Sequence, residues 1–146
     1  MKRNVRGFTL VEILIVVIIL GILAAIVIPQ FTNASNDARN NSIASTLQTL
    51  RGQIELYKIQ HSDKPPLTTS MWSWMLAASD TTGNTNATTD ATHTLGPYIQ
   101  SAPVNPANGL TVISQAAATT VGWVYNVSGS AYTIQAVSTT GGLLTY

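Results

Sequence analysis

The chain has 146 residues, 45% hydrophobic and only 9% charged, with a formal net charge of +1, which is room for one modest domain and an anchor. With no cysteine, disulfide staples and thiolate metal sites are excluded. Three of the seven Lys/Arg (Lys2, Arg3, Arg6) precede Gly7, which leaves four against six acids beyond it, so no basic patch remains for nucleic acid.

The basic head is followed by an apolar run over residues 8–28. Only Thr9 and Glu12 in it carry polar side chains. The run is longer than the 7–15-residue core of a secretory signal and matches the roughly 20 residues that span a bilayer. A secretory signal, an anchor, or a segment with features of both remain open. The small residue Gly7 stands before the run, so cleavage there leaves the hydrophobic segment on the mature protein. Lys2, Arg3 and Arg6 read as a positive-inside signal with a cytoplasmic N-terminus. Glu12 is an expensive charge in hydrocarbon and calls for a partner.

Pro29 closes the run and is expected to kink or break a helix; Gly21 is a second soft point. Residues 33–60 contain no proline and one glycine, Gly52. There Ile43, Leu47, Leu50, Ile54 and Tyr57 recur at steps of four and three, an apolar stripe on one helix face. Arg51 and Glu55 are spaced to pair weakly. One helix over residues 8–60 would be on the order of 80 Å long. Asp63-Lys64-Pro65-Pro66 ends it.

Residues 70–78 read as a short helix whose Trp72 and Trp74 seek cover on the long one. The Thr/Asn-rich stretch 79–94 has no large apolar residue and reads as a surface loop. Asn86-Ala87-Thr88 and Asn126-Val127-Ser128 fit the glycosylation tripeptide, a pattern that recurs by chance. Short strands are expected at 110–114, 122–127 and 131–137, the last two joined by a three-residue turn at Ser128-Gly129-Ser130. Residues 139–146 read as a loosely held tail. The fold class is α+β: a long N-terminal helix, hydrophobic then amphipathic, packed on a small C-terminal antiparallel sheet. The divisions are 1–7, 8–28, 29–62 and a globular region 63–146. Catalysis has no support: His61 and His93 belong to no ligand-spaced cluster and read as surface residues, and Asp63 beside His61 reads as a solvated helix end.

Arg6-Gly7-Phe8-Thr9-Leu10-Val11-Glu12 resembles the class III signal of type IV pilins and of the pseudopilins of type II secretion. The resemblance implies a leader of residues 1–7, removed after Gly7 by a membrane-embedded prepilin peptidase that then N-methylates Phe8. It implies a pilin-like fold whose helix continues past Pro29, bent or locally melted in a filament. Glu12 then lies one helical turn from the new Phe8 amine, and meets either its own amine or that of a neighbouring subunit. Such a pair serves recognition and register more than stability.

Thr49-Leu50-Arg51-Gly52-Gln53-Ile54-Glu55-Leu56-Tyr57, Gly96-Pro97-Tyr98-Ile99 and Pro103-Val104-Asn105-Pro106 are similar to stretches of the major pseudopilin of type II secretion. That branch commonly holds calcium with acidic side chains in a C-terminal loop. Here the last acid is Asp90, leaving Asn105, Asn108 and main-chain carbonyls, so the calcium site is not carried over and no cofactor is expected. The resemblance implies a non-enzymatic pseudopilus subunit in the inner membrane, its C-terminal domain periplasmic. Its implied partners are the prepilin peptidase, identical subunits, minor pseudopilins, the assembly platform with its ATPase, and membrane lipid, with no nucleic acid. A type IV pilin subunit and a membrane-anchored periplasmic binding module are the alternatives.

Overall fold

The computed structural model describes residues 7–86 and 90–146. The basic head (Lys2, Arg3, Arg6) and Ala87-Thr88 of the first glycosylation tripeptide lie outside the described residues. The chain divides into two compact units, residues 1–38 and 39–146.

Helix α1 is Leu10–Gln60, with Pro29 inside it. Pro29 has no N–H to give the carbonyl of Ala25, one turn back. Next to it the Thr32 hydroxyl donates to the carbonyl of Ile28, one turn back (3.1 Å). Every large apolar side chain from Phe8 to Phe31 is at least half exposed. By length and composition this helix can cross a membrane.

In the second unit the stripe read from the sequence is the stripe that is buried: Ile43, Leu47, Leu50, Ile54 and Tyr57 are each 2% exposed or less. Each such burial stabilises by about 1.5–3 kcal/mol. They pack with Met71, Met75, Tyr98, Trp123, Tyr125, Ile134 and Ala136 into one core. Glu55 pairs with Lys58 (3.4 Å), not with Arg51. Arg51 instead donates to the carbonyl of Ile134 (3.5 Å), because the sheet lies within its reach. The helix stops at Ser62 and Asp63, both at positive φ (55° and 61°), with the Asp63 N–H on the carbonyl of Lys58 (2.8 Å). Pro65 and Pro66 follow, both buried.

A 3-10 turn, Thr68–Ser70, leads into α2, Met71–Leu76. Its one-turn spacing sends Met71 and Met75 inward and leaves Trp72 and Trp74 half-buried at the rim. Trp74 reaches α1 by stacking near Tyr57, at 6.2 Å between ring centroids. Trp72 donates to the carbonyl of Thr111 (2.8 Å).

The stretch read as a plain loop holds a small hairpin, β1 (Ala78–Ser79) on β2 (Thr85–Asn86), and Ser79 is fully buried against Leu95. Strands β3 (Ile113–Ser114), β4 (Trp123–Ser128), β5 (Ala131–Val137) and β6 (Leu143–Leu144) form one sheet in that order. The pairings β4–β5 and β5–β6 are antiparallel, but β3 runs parallel to β4, so the sheet is mixed. Ser128 pairs with Ala131, so the β4–β5 turn has two residues rather than three, with Gly129 at φ 61°. The tail is not loose. Gly141 (φ 82°) turns the chain back, β6 adds to β5, and the Tyr146 hydroxyl donates to Asn40 (2.9 Å).

His61, read from sequence as a surface residue, is 3% exposed. Its ring stacks on Tyr57 at 3.8 Å. Nδ1 lies 2.8 Å from the carbonyl of Tyr57, which can only accept, so Nδ1 carries the proton and Nε2 faces the Ser79 hydroxyl (3.1 Å). The stacked Tyr57 hydroxyl is buried with no hydrogen-bond partner among the described residues. Tyr57→Phe keeps the ring and removes that polar atom. The expected result in chemical denaturation is a stability equal to the parent or higher by up to about 1 kcal/mol; a loss of similar size would show that the hydroxyl is bonded after all.

Candidate functional site

The first candidate site is the start of α1. Gly7, Phe8 and Thr9 lie outside the helix, and all three are exposed, Phe8 by 84%. A methyl group added at Gly7 would meet nothing within 4 Å. The backbone around the 7–8 peptide bond is therefore unhindered by the rest of the described chain.

Thr9 is the N-cap of α1 and Glu12 stands three residues on. One carboxylate oxygen of Glu12 accepts from the Thr9 N–H (2.8 Å) and from the Thr9 hydroxyl (2.9 Å). The Glu12 N–H donates back to the Thr9 hydroxyl oxygen (3.2 Å). This is a reciprocal capping box: orphan N–H groups at the helix end are satisfied, and a negative charge sits at the positive end of the helix dipole. Among the described residues the partner of Glu12 is thus Thr9. Sequence reasoning missed this, although the signal was present as Thr9-x-x-Glu12. Pro29 lies five turns further along α1 and takes no part in this arrangement.

The second candidate region is the segment 103–112. Asn105 is fully buried, and its amide nitrogen donates to the carbonyls of Gly122 (2.6 Å) and Val137 (2.8 Å). The amide nitrogen of Asn108 donates to the carbonyls of Val121 (2.8 Å) and Val137 (3.1 Å). The Trp123 indole donates to the carbonyl of Pro103 (2.9 Å).

Elsewhere two carboxylates, Asp80 and Asp90, are engaged by local hydrogen bonds. The hydroxyl of Thr82 and then the side chain of Asn84 hold Asp80 well below the usual carboxylate range. The His93 and Thr92 N–H groups do the same for Asp90. No cluster of three or more His, Cys, Asp or Glu is placed to hold a metal among the described residues. An open groove of about 570 Å³ between α1 and β5 is lined by Arg51, Glu55, Lys58, Tyr132 and neighbours. Its floor is tied by the Tyr132 hydroxyl to the carbonyl of Arg51 (3.3 Å).

Fold and site together define a class: an α+β subunit carrying a bare, membrane-length helix headed by a capped carboxylate. Residues 2–28 match the family described as the prokaryotic N-terminal methylation motif. The chain is 38% identical over 65 residues to a Type II secretion system core protein G of Dickeya chrysanthemi, covering 44% of this chain and 42% of that protein. It is 40% identical over 65 residues to the Klebsiella pneumoniae protein of the same name, 44% of this chain and 46% of the relative. The chain thus matches less than half the length of these relatives. It is also 30% identical over 95 residues to the Type IV narrow pilus major component of Thermus thermophilus, covering 58% of this chain and 82% of that protein. No solved structure matches it. The chain belongs to the type IV pilin-like family, which includes the pseudopilins of type II secretion.

Proposed function

We propose that this chain is a structural, non-enzymatic subunit of a type II secretion pseudopilus. In this reading residues 1–7 are a leader cut after Gly7 by a prepilin peptidase, which N-methylates Phe8. The subunit waits in the inner membrane with its N-terminus cytoplasmic and residues 39–146 periplasmic. It then polymerises with identical subunits through the apolar helix, together with minor pseudopilins, an assembly platform and its ATPase, and so drives protein export across the outer membrane.

The observation that carries the reading is the exposed apolar run from Phe8 to Phe31, most of which lies within the matched methylation motif of residues 2–28. A helix apolar all round is stable only in lipid or against other helices. A filament core supplies the second environment, and the membrane the first. Pro29, inside the continuous helix α1, belongs to the same reading, since the carbonyl it leaves free at Ala25 would let the helix bend on leaving lipid.

Mass spectrometry of the purified mature protein tests the processing step. The expected N-terminus is Phe8 carrying one methyl group; an N-terminus at Met1 or Lys2 would instead support an anchored periplasmic module. Deletion of the gene is then expected to abolish export while leaving surface pili. A second reading, a type IV pilin, is favoured by the Thermus relative, of whose length the chain covers 82%. Loss of pili with export intact in the deletion strain would select it.

A further inference from the structure

The chemistry of segment 103–112 bears on a metal that the pseudopilin resemblance implies. Calcium takes six to eight oxygen ligands, with carboxylates prominent among them. Here three carbonyls, from Val121, Gly122 and Val137, converge on two asparagine side chains. A carbonyl can only accept, so the side-chain atoms facing it are the NH₂ groups, and the amide orientations are fixed by their partners. The opposite ends agree: Asn105 Oδ1 accepts from the Ala107 N–H (2.8 Å) and Asn108 Oδ1 from the Leu110 N–H (3.1 Å).

Two of the three carbonyls have both lone pairs in use, and the Val121 oxygen accepts from Asn108. The Val137 oxygen accepts from both asparagines. The Gly122 oxygen accepts from Asn105 and from the Val137 N–H (3.0 Å). A cation would have to displace these donors, and no acid follows Asp90 in the sequence to repay the exchange. Nor is there space. Strand β4 enters so close to the segment that a Cβ at Gly122 would collide with the carbonyl oxygen of Leu110. The donor set does not fit calcium.

We propose that the Asn105–Asn108 amide pair is the device that locks segment 103–112 onto the ends of β4 and β5, doing with four N–H donors what a calcium ion is expected to do in major pseudopilins. The two amides bridge the residues flanking Trp123 and Val137, both wholly buried. The lock therefore ties the sheet to the part of the core made by Trp123. The domain folds and holds its shape without divalent metal.

The test uses the full chain in detergent, with unfolding followed by the fluorescence of Trp72, Trp74 and Trp123, all in the 39–146 unit. The unfolding midpoint is expected to agree within about 1 °C in excess EGTA and in millimolar calcium chloride, since a ligand that binds only the folded state must raise it. Asn108→Ala, at a half-buried position, is expected to lower the midpoint by about 5 °C or more, equally in both buffers. Asn105→Ala is expected to lower it further. A wild-type midpoint several degrees higher in calcium overturns the proposal. So does an Asn108→Ala chain that melts with the parent.

Discussion

Gly7→Leu is expected to abolish removal of residues 1–7 while leaving the chain's own fold intact. Gly7 stands outside α1, exposed, with open space where a side chain would go. Leucine there meets nothing within the described chain, and no positive φ at Gly7 demands glycine. In the proposed reading any defect therefore arises in the active site of the prepilin peptidase, which would hold the backbone on both sides of the bond it cuts. A side chain where that site accepts only hydrogen costs transition-state binding. A loss of about 100-fold in processing rate corresponds to roughly 2.7 kcal/mol. The readout is the mass of the membrane-extracted protein, which should retain Met1 to Gly7, alongside an unfolding midpoint equal to the parent's. Normal mature-length protein would defeat the assignment of Gly7 as the last leader residue. A lowered midpoint would show instead that Gly7 matters to this chain's own stability.

The long helix and the paired strands were legible because each repeats a pattern over many residues. Ile43 to Tyr57 keep the helical period for fifteen residues, and that length outweighs local noise. Strands β4 and β5 run for six and seven residues rich in β-branched and aromatic side chains, and in β5 Tyr132, Ile134 and Ala136 recur at every second position. What was illegible is short or long-range. Strands β1, β2, β3 and β6 have two residues each, too few to carry a period. Strands β3 and β6 exist because the longer β4 and β5 offer free edges, whereas β1 and β2 pair with each other across a tight hairpin. His61 looked like a polar residue at a helix end, yet Tyr57 and Ser79 supply a stacking face and a hydrogen bond that pay for its burial. Asn105 and Asn108 find their carbonyls 13 to 32 residues away, and nothing local in Pro103-Val104-Asn105-Pro106 announces that. At the helix start the case is different. Thr9-x-x-Glu12 is readable from spacing alone, but a carboxylate costly in lipid points first to an opposite charge, the Phe8 amine, rather than to the neutral cap at Thr9.

Glu12→Ala and Glu12→Gln separate the two roles that this residue combines. As one half of the capping box it satisfies the Thr9 N–H and hydroxyl. As a charge it is the proposed partner of the Phe8 amine in the filament. Glutamine keeps the first role, since its side-chain oxygen accepts the same bonds and Gln serves in capping boxes as Glu does. It loses the second. Alanine loses both, and the cap alone is worth about 0.5–2 kcal/mol. Neither change hinders insertion, because each removes a charge whose placement in the bilayer costs about 2.5–3.5 kcal/mol or more. Membrane fractionation should therefore find both variants where the parent is found. Assembly should not survive either. Losing one partner of a buried pair leaves the other charge uncompensated, at about 3–5 kcal/mol, more than enough to depress filament yield a hundredfold. Quantified filaments from cells expressing Glu12→Gln decide the matter. If they match the parent, the carboxylate acts as a helix cap and the charge pair plays no part in assembly. If Gln fails as completely as Ala, the charge sets subunit register, and the Thr9 bonds serve to aim the carboxylate until processing frees the amine it is proposed to meet.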